Sequence, residues 1–84
     1  MSDDPEERAR VFSRIAPIIL RFRELAGDGA FRAEELRNYV IAEAPEIAPD
    51  SPGRILRELR LRGRLNYTVL NRRQSLYAFQ AKQP

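Results

Sequence analysis

The sequence predicts a small α+β domain in which helices come first and a β-hairpin comes near the end. Three observations predict this class. Apolar residues recur at helical spacing over most of the first sixty positions. Residues 65–70 then alternate and are rich in β-formers, and residues 75–79 supply a partner strand. The chain has 84 residues, of which 43% are hydrophobic, so it is long enough for one domain with a small core.

The first helix is predicted to begin within residues 4–7 and to end near Ala26. The Asp-Pro-Glu-Glu sequence at residues 4–7 combines an N-cap, a proline suited to the first turn and acids that favour the positive end of the helix. Gly-Asp-Gly at residues 27–29 ends it. Pro17 lies inside and removes one backbone hydrogen bond. We expect a kink there rather than two separate helices, because Ala16 is a poor N-cap.

This helix carries two apolar stripes that share one residue. The first stripe consists of Phe12, Ile15, Ala16 and Ile19. The second stripe has coiled-coil spacing and consists of Val11, Ile15, Ile18, Phe22 and Leu25. In one interpretation both stripes pack around a single core. In the other, the second stripe forms a homodimer interface that would present two copies of the domain to one partner.

The rest of the chain divides into a short strand, two helices and a hairpin. Residues 30–32 are predicted as a minor strand and residues 33–44 as the second helix. Ile47 is expected to anchor the proline-containing loop that follows. A third helix is predicted from a capping Ser51 to Gly63. The hairpin comprises strands at residues 65–70 and 75–79 with a turn at residues 71–74, and residues 80–84 form a flexible tail.

Positive charge is concentrated in residues 51–84. Residues 1–50 contain seven arginines and eleven carboxylates, a balance of −4. Residues 51–84 contain eight basic residues and one acid, Glu58, a balance of +7. The formal net charge of +3 hides this division. Only the second part is therefore suited to a polyanionic partner.

The composition excludes several functional classes. The chain contains no cysteine and no histidine, which excludes disulfides, cysteine zinc sites and serine–histidine or cysteine–histidine catalysis. It contains no glycine-rich phosphate loop, so we expect neither a cofactor nor enzymatic activity. The longest apolar stretch, residues 16–20, is too short to span a bilayer, and no signal-peptide pattern opens the chain. We expect a soluble cytoplasmic protein associated with the nucleoid.

Basic residues of the third helix and of the hairpin turn form the candidate site. On a helical wheel Ile55, Leu56 and Leu59 face the core, and the opposite face is exposed. A basic helix followed by a basic hairpin is the arrangement of a winged-helix DNA-binding domain, although solvated arginines are the alternative for each part. The candidate DNA-binding residues are Ser51, Pro52, Gly53, Arg54, Arg57, Arg60, Leu61, Asn71, Arg72, Arg73 and Gln74.

Leu61 is unusual because it is a large apolar residue on the face that the wheel predicts to be exposed. One interpretation is that it packs beneath the start of the hairpin, as residues at helix ends commonly do. The other is that it contacts a base methyl group in the major groove. Tyr67 and Tyr77 lie on paired strands, where core or cross-strand packing is expected.

The sequence resembles the winged-helix modules of restriction endonucleases, particularly methyl-directed enzymes with HNH or DpnI-type nuclease domains. The resemblance covers roughly residues 30–79 and includes the preceding helix at residues 31–40. Its most specific parts are Ser-Pro-Gly-Arg-Ile-Leu-Arg at residues 51–57 and Asn-Arg-Arg-Gln-Ser-Leu-Tyr at residues 71–77. The resemblance implies sequence-dependent binding of double-stranded DNA. Several such modules require N6-methyladenine, as in GATC methylated on both strands.

The chain departs from these endonucleases in two respects. It contains no nuclease domain, so the resemblance implies binding without cleavage. It also contains no tryptophan to line a methyl pocket, so Pro52, Gly53 or Leu61 would have to supply the apolar contact. The resemblance divides the chain into a helical extension at residues 1–29, a winged-helix domain at residues 30–79 and the tail at residues 80–84.

The leading functional prediction is therefore a standalone winged helix that binds adenine-methylated double-stranded DNA. Arg54 and Arg57 are predicted to enter the major groove, and Arg72 and Arg73 to contact phosphates. Two alternatives remain open: a dimeric winged-helix transcriptional regulator that is insensitive to methylation, and a winged-helix protein–protein adaptor.

Overall fold

The computed structural model describes residues 4–27 and 29–80. These residues form an α+β fold of three helices and a three-stranded antiparallel sheet, which confirms the predicted class. The strand order is β1–β3–β2, so the third strand lies between the other two. The elements in chain order are helix α1 (Pro5–Ala26), strand β1 (Ala30–Arg32), helix α2 (Ala33–Glu43), helix α3 (Ser51–Leu61), strand β2 (Tyr67–Asn71) and strand β3 (Leu76–Phe79).

Helix α1 begins and ends where the sequence predicts. The Oδ1 atom of Asp4 accepts a hydrogen bond from the backbone N–H of Glu6 at 3.0 Å, which satisfies one of the free donors of the first turn. Gly27 ends the helix with a φ of 61°, a conformation that favours glycine. The helix continues past Pro17, so the alternative of two separate helices is wrong. Asp28 of the predicted ending lies outside the described residues.

Helix α1 belongs to the same core as the rest of the chain. Ile15 and Ile19 are completely buried, and they belong to one apolar cluster with Leu59 of α3 and Phe79 of β3. The predicted division into an extension at residues 1–29 and a domain at residues 30–79 stays a prediction, and within the described residues α1 shares the core of the second part. Helices α2 and α3 and the sheet would expose much of their apolar surface without α1, because α1 covers it.

The same burial shows how much of the second α1 stripe lies in the core. Ile15 and Ile18 of the second stripe lie in the core, and Val11 and Phe22 are half-buried against it. Only Leu25 of this stripe is well exposed, at 70%. The folded chain therefore uses most of this stripe internally, and the predicted homodimer through these residues stays a prediction.

Aromatic rings connect α1 to the sheet. Phe31 of β1 stacks on Phe79 of β3 with a centroid distance of 4.5 Å, and the ring of Phe22 meets Phe31 edge to face at 5.4 Å. The rings of Tyr67 and Tyr77 meet at right angles on paired strands, which confirms their predicted cross-strand packing. Such pairs stabilise the fold beyond the area that they bury.

The end of α3 reverses the chain into the hairpin. The N–H of Arg64 donates to the carbonyl of Leu59 at 2.9 Å, and the N–H of Gly63 donates to that of Arg60 at 3.0 Å. These two bonds form a Schellman motif, in which Gly63 has a φ of 72°. Leu65 is buried in the connection and strand β2 begins only at Tyr67, two residues later than predicted.

The predicted turn and tail both require correction. The turn comprises residues 72–75, one position later than predicted, and Ser75 adopts a φ of 50°. The sequence predicts Gln80 in the flexible tail, but its N–H donates to the carbonyl of Asn66 at 2.9 Å, and its side chain bonds to Thr68. It therefore continues the pairing between the ends of the hairpin. Residues 81–84 lie outside the described residues.

Ion pairs join α1 to α2 and to the loop after it. Arg21 binds the carboxylate of Glu43 at 2.8 Å, and Arg14 binds that of Glu46 at 3.0 Å. A hydrogen bond from its own backbone N–H, and then Arg14, lower the pKa of Glu46. This carboxylate thus favours the folded state above its unfolded pKa, and that contribution is lost as the pH falls through its lowered value. In the described ranges, no helix combines the length and apolar character needed to cross a bilayer.

Gly63→Ala should destabilise the domain by about 1–2 kcal/mol, because an L side chain is strained at positive φ. The cost is conformational, since an added Cβ meets no atom within 4 Å. Gly53→Ala is the matched control: its Cβ also meets open space, but Gly53 is helical. The control should be neutral or stabilising by up to about 1 kcal/mol. Urea unfolding of both variants measures the difference, and an equal stability of the two would contradict the role of Gly63.

Candidate nucleic-acid interface

Helix α3 has one buried and one exposed face, as the wheel predicts. Ile55, Leu56 and Leu59 are buried among residues of α1, α2 and the sheet. The opposite face is exposed and carries Gly53, Arg54, Arg57 and Leu61, with Arg60 beside them. Because the buried positions fix the rotation of the helix about its axis, the arginines of the exposed face point away from the core.

The first two residues of α3 do not lie on that exposed face. Ser51 is only 2% exposed and Pro52 is among the fully buried side chains, so their predicted direct contacts to DNA are corrected. Ser51 is also not the N-cap, because Asp50 occupies that position with helical backbone angles and no side-chain cap. Instead, the Oγ atom of Ser51 accepts a hydrogen bond from Nη2 of Arg54 at 3.3 Å. Ser51 thus orients one of the candidate arginines.

Several guanidinium groups of residues 51–80 have no partner among the described residues. Within that part of the chain, Arg57, Arg64, Arg72 and Arg73 form no ion pair or side-chain hydrogen bond. The guanidinium of Arg60 lies over the ring of Tyr67, 4.7 Å from its centroid. These cationic groups are exposed and available to a ligand.

Arg62 differs from these residues. It binds the carboxylate of Glu58 at 3.2 Å, and its guanidinium lies 4.1 Å from the ring centroid of Phe12. Arg62 therefore fastens the end of α3 to α1.

The turn that follows β2 is fixed to the helices. The side-chain oxygen of Asn71 accepts a hydrogen bond from the N–H of Gln74 at 3.1 Å, so this part of Asn71 shapes the turn. The carbonyl of Ser75 accepts a hydrogen bond from the N–H of Ala33, the first residue of α2, at 2.9 Å. Arg72 and Arg73 are exposed between these two anchors. Their backbone is thereby held at a defined position relative to the helices.

The structure corrects the first interpretation of Leu61. This side chain is 82% exposed, so it does not pack beneath the start of the hairpin. Leu65 is buried in the connection to the hairpin. The second interpretation, a contact with a base methyl group, therefore stays a prediction.

A groove between α1 and α3 adds residues that the sequence did not indicate. It has a volume of about 200 Å³, and Val11, Ile55 and Leu61 supply its apolar lining. Arg8 of α1 lies on the same groove as Arg54 and Arg57. No local signal in the sequence identifies Arg8 or Val11 as neighbours of this face, because their position depends on how α1 packs against α3.

Comparison with known proteins identified no relative of this chain. No protein-family model, curated protein or solved structure matches it. Within residues 4–27 and 29–80, no group of three or more acidic side chains is arranged to hold a metal ion. The exposed basic face is therefore the feature from which a function can be inferred.

Proposed function

We propose that this chain is a winged helix that binds double-stranded DNA. The order of elements, α1–β1–α2–α3–β2–β3 with sheet order β1–β3–β2, supports this assignment. In this arrangement α2 and α3 are the helix-turn-helix, α3 is the recognition helix and the turn at residues 72–75 is the wing. Helix α1 is an integral part of the domain because it completes the core.

The observation that carries the proposal is the set of exposed guanidinium groups on α3 and on the wing. Arg57 of α3 and Arg72 and Arg73 of the wing form no ion pair among the described residues. Arginine presents a planar fork of donors that suits guanine edges and phosphates. Two separated groups of arginines on one rigid fold match a ligand with a groove and a flanking backbone, and duplex DNA has both.

The proposed mechanism assigns different tasks to the two groups. Arg54 and Arg57 enter the major groove and form hydrogen bonds with base edges, while Arg60 contacts the adjoining backbone. Gly53 allows the start of α3 to approach the duplex closely, since its Cα carries no side chain and the space around it is open. Arg72 and Arg73, with Gln74 and the free amide group of Asn71, bind flanking phosphates.

Recognition of N6-methyladenine is a further part of the proposal, and the resemblance to methyl-directed modules supports it. Of the residues considered for this methyl contact, Pro52 is buried, whereas Gly53 is exposed at the start of α3. The alternative of a dimeric regulator has less support, because Ile15 and Ile18 of its predicted interface lie in the core.

Arg54→Ala and Arg72→Ala should weaken DNA binding in different ways. Loss of Arg54 should cost about 1–3 kcal/mol on the preferred duplex and relax sequence choice. Loss of Arg72 should weaken binding to all duplexes alike and reduce the slope of log K against log salt concentration by about 0.9. Binding curves at several salt concentrations, measured by fluorescence anisotropy, separate these effects.

Arg21→Ala is the matched control because it removes the same charge from α1, where Glu43 already neutralises Arg21. It should leave the slope nearly unchanged. If wild type and Arg54→Ala bound every duplex equally well, the groove contact would be wrong. If wild type bound no duplex at any salt concentration, the result would favour the protein–protein adaptor instead.

Methylation sensitivity can be measured separately from DNA binding. A gel-shift series with unmodified, hemimethylated and fully methylated GATC duplexes at one salt concentration should show the tightest binding to the fully methylated duplex. A matched duplex with the order of the four bases scrambled controls for general affinity. Equal affinity for the three methylation states would remove the methyladenine assignment and leave the proposed DNA binding intact.

A further inference from the structure

Leu61 is an apolar side chain that the fold itself does not use. It is the most exposed of the large hydrophobic residues in the described part of the chain, at 82%. A leucine that remains in water after folding adds almost no hydrophobic stabilisation. We therefore expect Leu61 to contact the partner that binds this face.

Leu61 forms one side of the groove between α1 and α3. Val11 is half-buried and Ile55 is buried, and together with Leu61 they give the groove an apolar lining. The groove volume of about 200 Å³ is large enough for a methyl group and the edge of a base. Arg54 and Arg57 also line this groove, so its apolar lining is adjacent to the proposed DNA contacts.

The apolar lining determines which feature of a base suits this groove. Glu58 also lines the groove, but its carboxylate is already paired with Arg62 at 3.2 Å. The exposed apolar side chain of Leu61 is therefore the part of the groove that can distinguish one base from another. Among the features of the major groove, the thymine C5-methyl group is the one that apolar side chains recognise.

We propose that Leu61, with Val11 and Ile55, recognises a thymine C5-methyl group in the major groove. This inference rests on the proposed DNA binding and specifies the base that one part of the surface recognises. Arg54 and Leu61 are seven residues apart on α3, which separates them by about 10 Å along the helix axis. The thymine therefore belongs to the same short site as the base that Arg54 contacts.

The test removes only the methyl group from the DNA. The full chain is first used to select a preferred duplex from a random library, and the recovered duplex is then synthesised with thymine or with uracil. Wild type should bind the uracil duplex about fourfold more weakly for each methyl group contacted. Leu61→Ala should bind the thymine duplex more weakly than wild type does and should no longer distinguish the two duplexes.

Leu25→Ala is the matched control, since Leu25 is also exposed, at 70%, but lies near the far end of α1. It should retain the full preference for thymine. Equal binding of wild type to both duplexes would overturn the inference while the proposed DNA binding stands. A preference for methylated adenine that depends on Leu61, without any effect of uracil, would also overturn the thymine assignment. Failure to bind any duplex would overturn the proposed function, and this inference with it.

Discussion

The burial of one face of α3 is the constraint on which the candidate site depends. Ile55, Leu56 and Leu59 occupy the core, and Leu59 is completely buried. These three side chains fix both the position of α3 and its rotation about its own axis. Because residues on a helix follow a period of 3.6, the opposite face then has to carry Gly53 and the arginines. The same burial that stabilises the domain therefore presents the basic groups to solvent.

Helix α1 makes this arrangement possible. Ile15 and Ile19 provide the apolar surface against which α3 and the sheet pack, and Arg62 over Phe12 fastens the end of α3 to the same helix. The Schellman motif at Gly63 then turns the chain so that Leu65 and Tyr67 also enter the core. The hairpin is thereby held beside α3, with its basic turn exposed.

Some arginines are paired with carboxylates inside the fold, and others are not. Arg14 and Arg21 of α1 are bound to carboxylates at the end of α2 and in the loop that follows, so the positive charge of these arginines is compensated locally. Among the described residues, Arg57, Arg72 and Arg73 have no such compensation. Surface ion pairs of the first kind contribute little to stability. Their effect here is local: they neutralise Arg14 and Arg21, whereas the charges of Arg57, Arg72 and Arg73 are left to a ligand.

Features that depend on local sequence were predictable. The N-cap at Asp4, the endings at Gly27 and Gly63 and the amphipathic pattern of α3 each follow from a few neighbouring residues. Features that depend on packing were not. The second α1 stripe has a spacing that suits a dimer and a core equally, and only the position of the other elements distinguishes them.

The start of α3 and the end of β3 also depend on packing and could not be predicted from local sequence. A serine before a proline is a good local signal for an N-cap, but the preceding loop makes Asp50 the N-cap and buries Ser51. The N–H of Ser51 donates to the carbonyl of Ala48 at 3.0 Å within that loop. Gln80 is ordered by bonds to Asn66 and Thr68, which are distant in sequence. Local composition does not encode either outcome.

The central claim is that one face, formed by α3 and the wing, contacts duplex DNA. Titration of the isotopically labelled chain with a short duplex, followed by two-dimensional amide NMR, tests it directly. The account predicts chemical-shift changes at Gly53, Arg54 and Arg57 and in the turn at residues 72–75, with Arg21 and Glu43 unaffected. Changes centred on Arg21 and Glu43, with α3 and the turn unaffected, would contradict it.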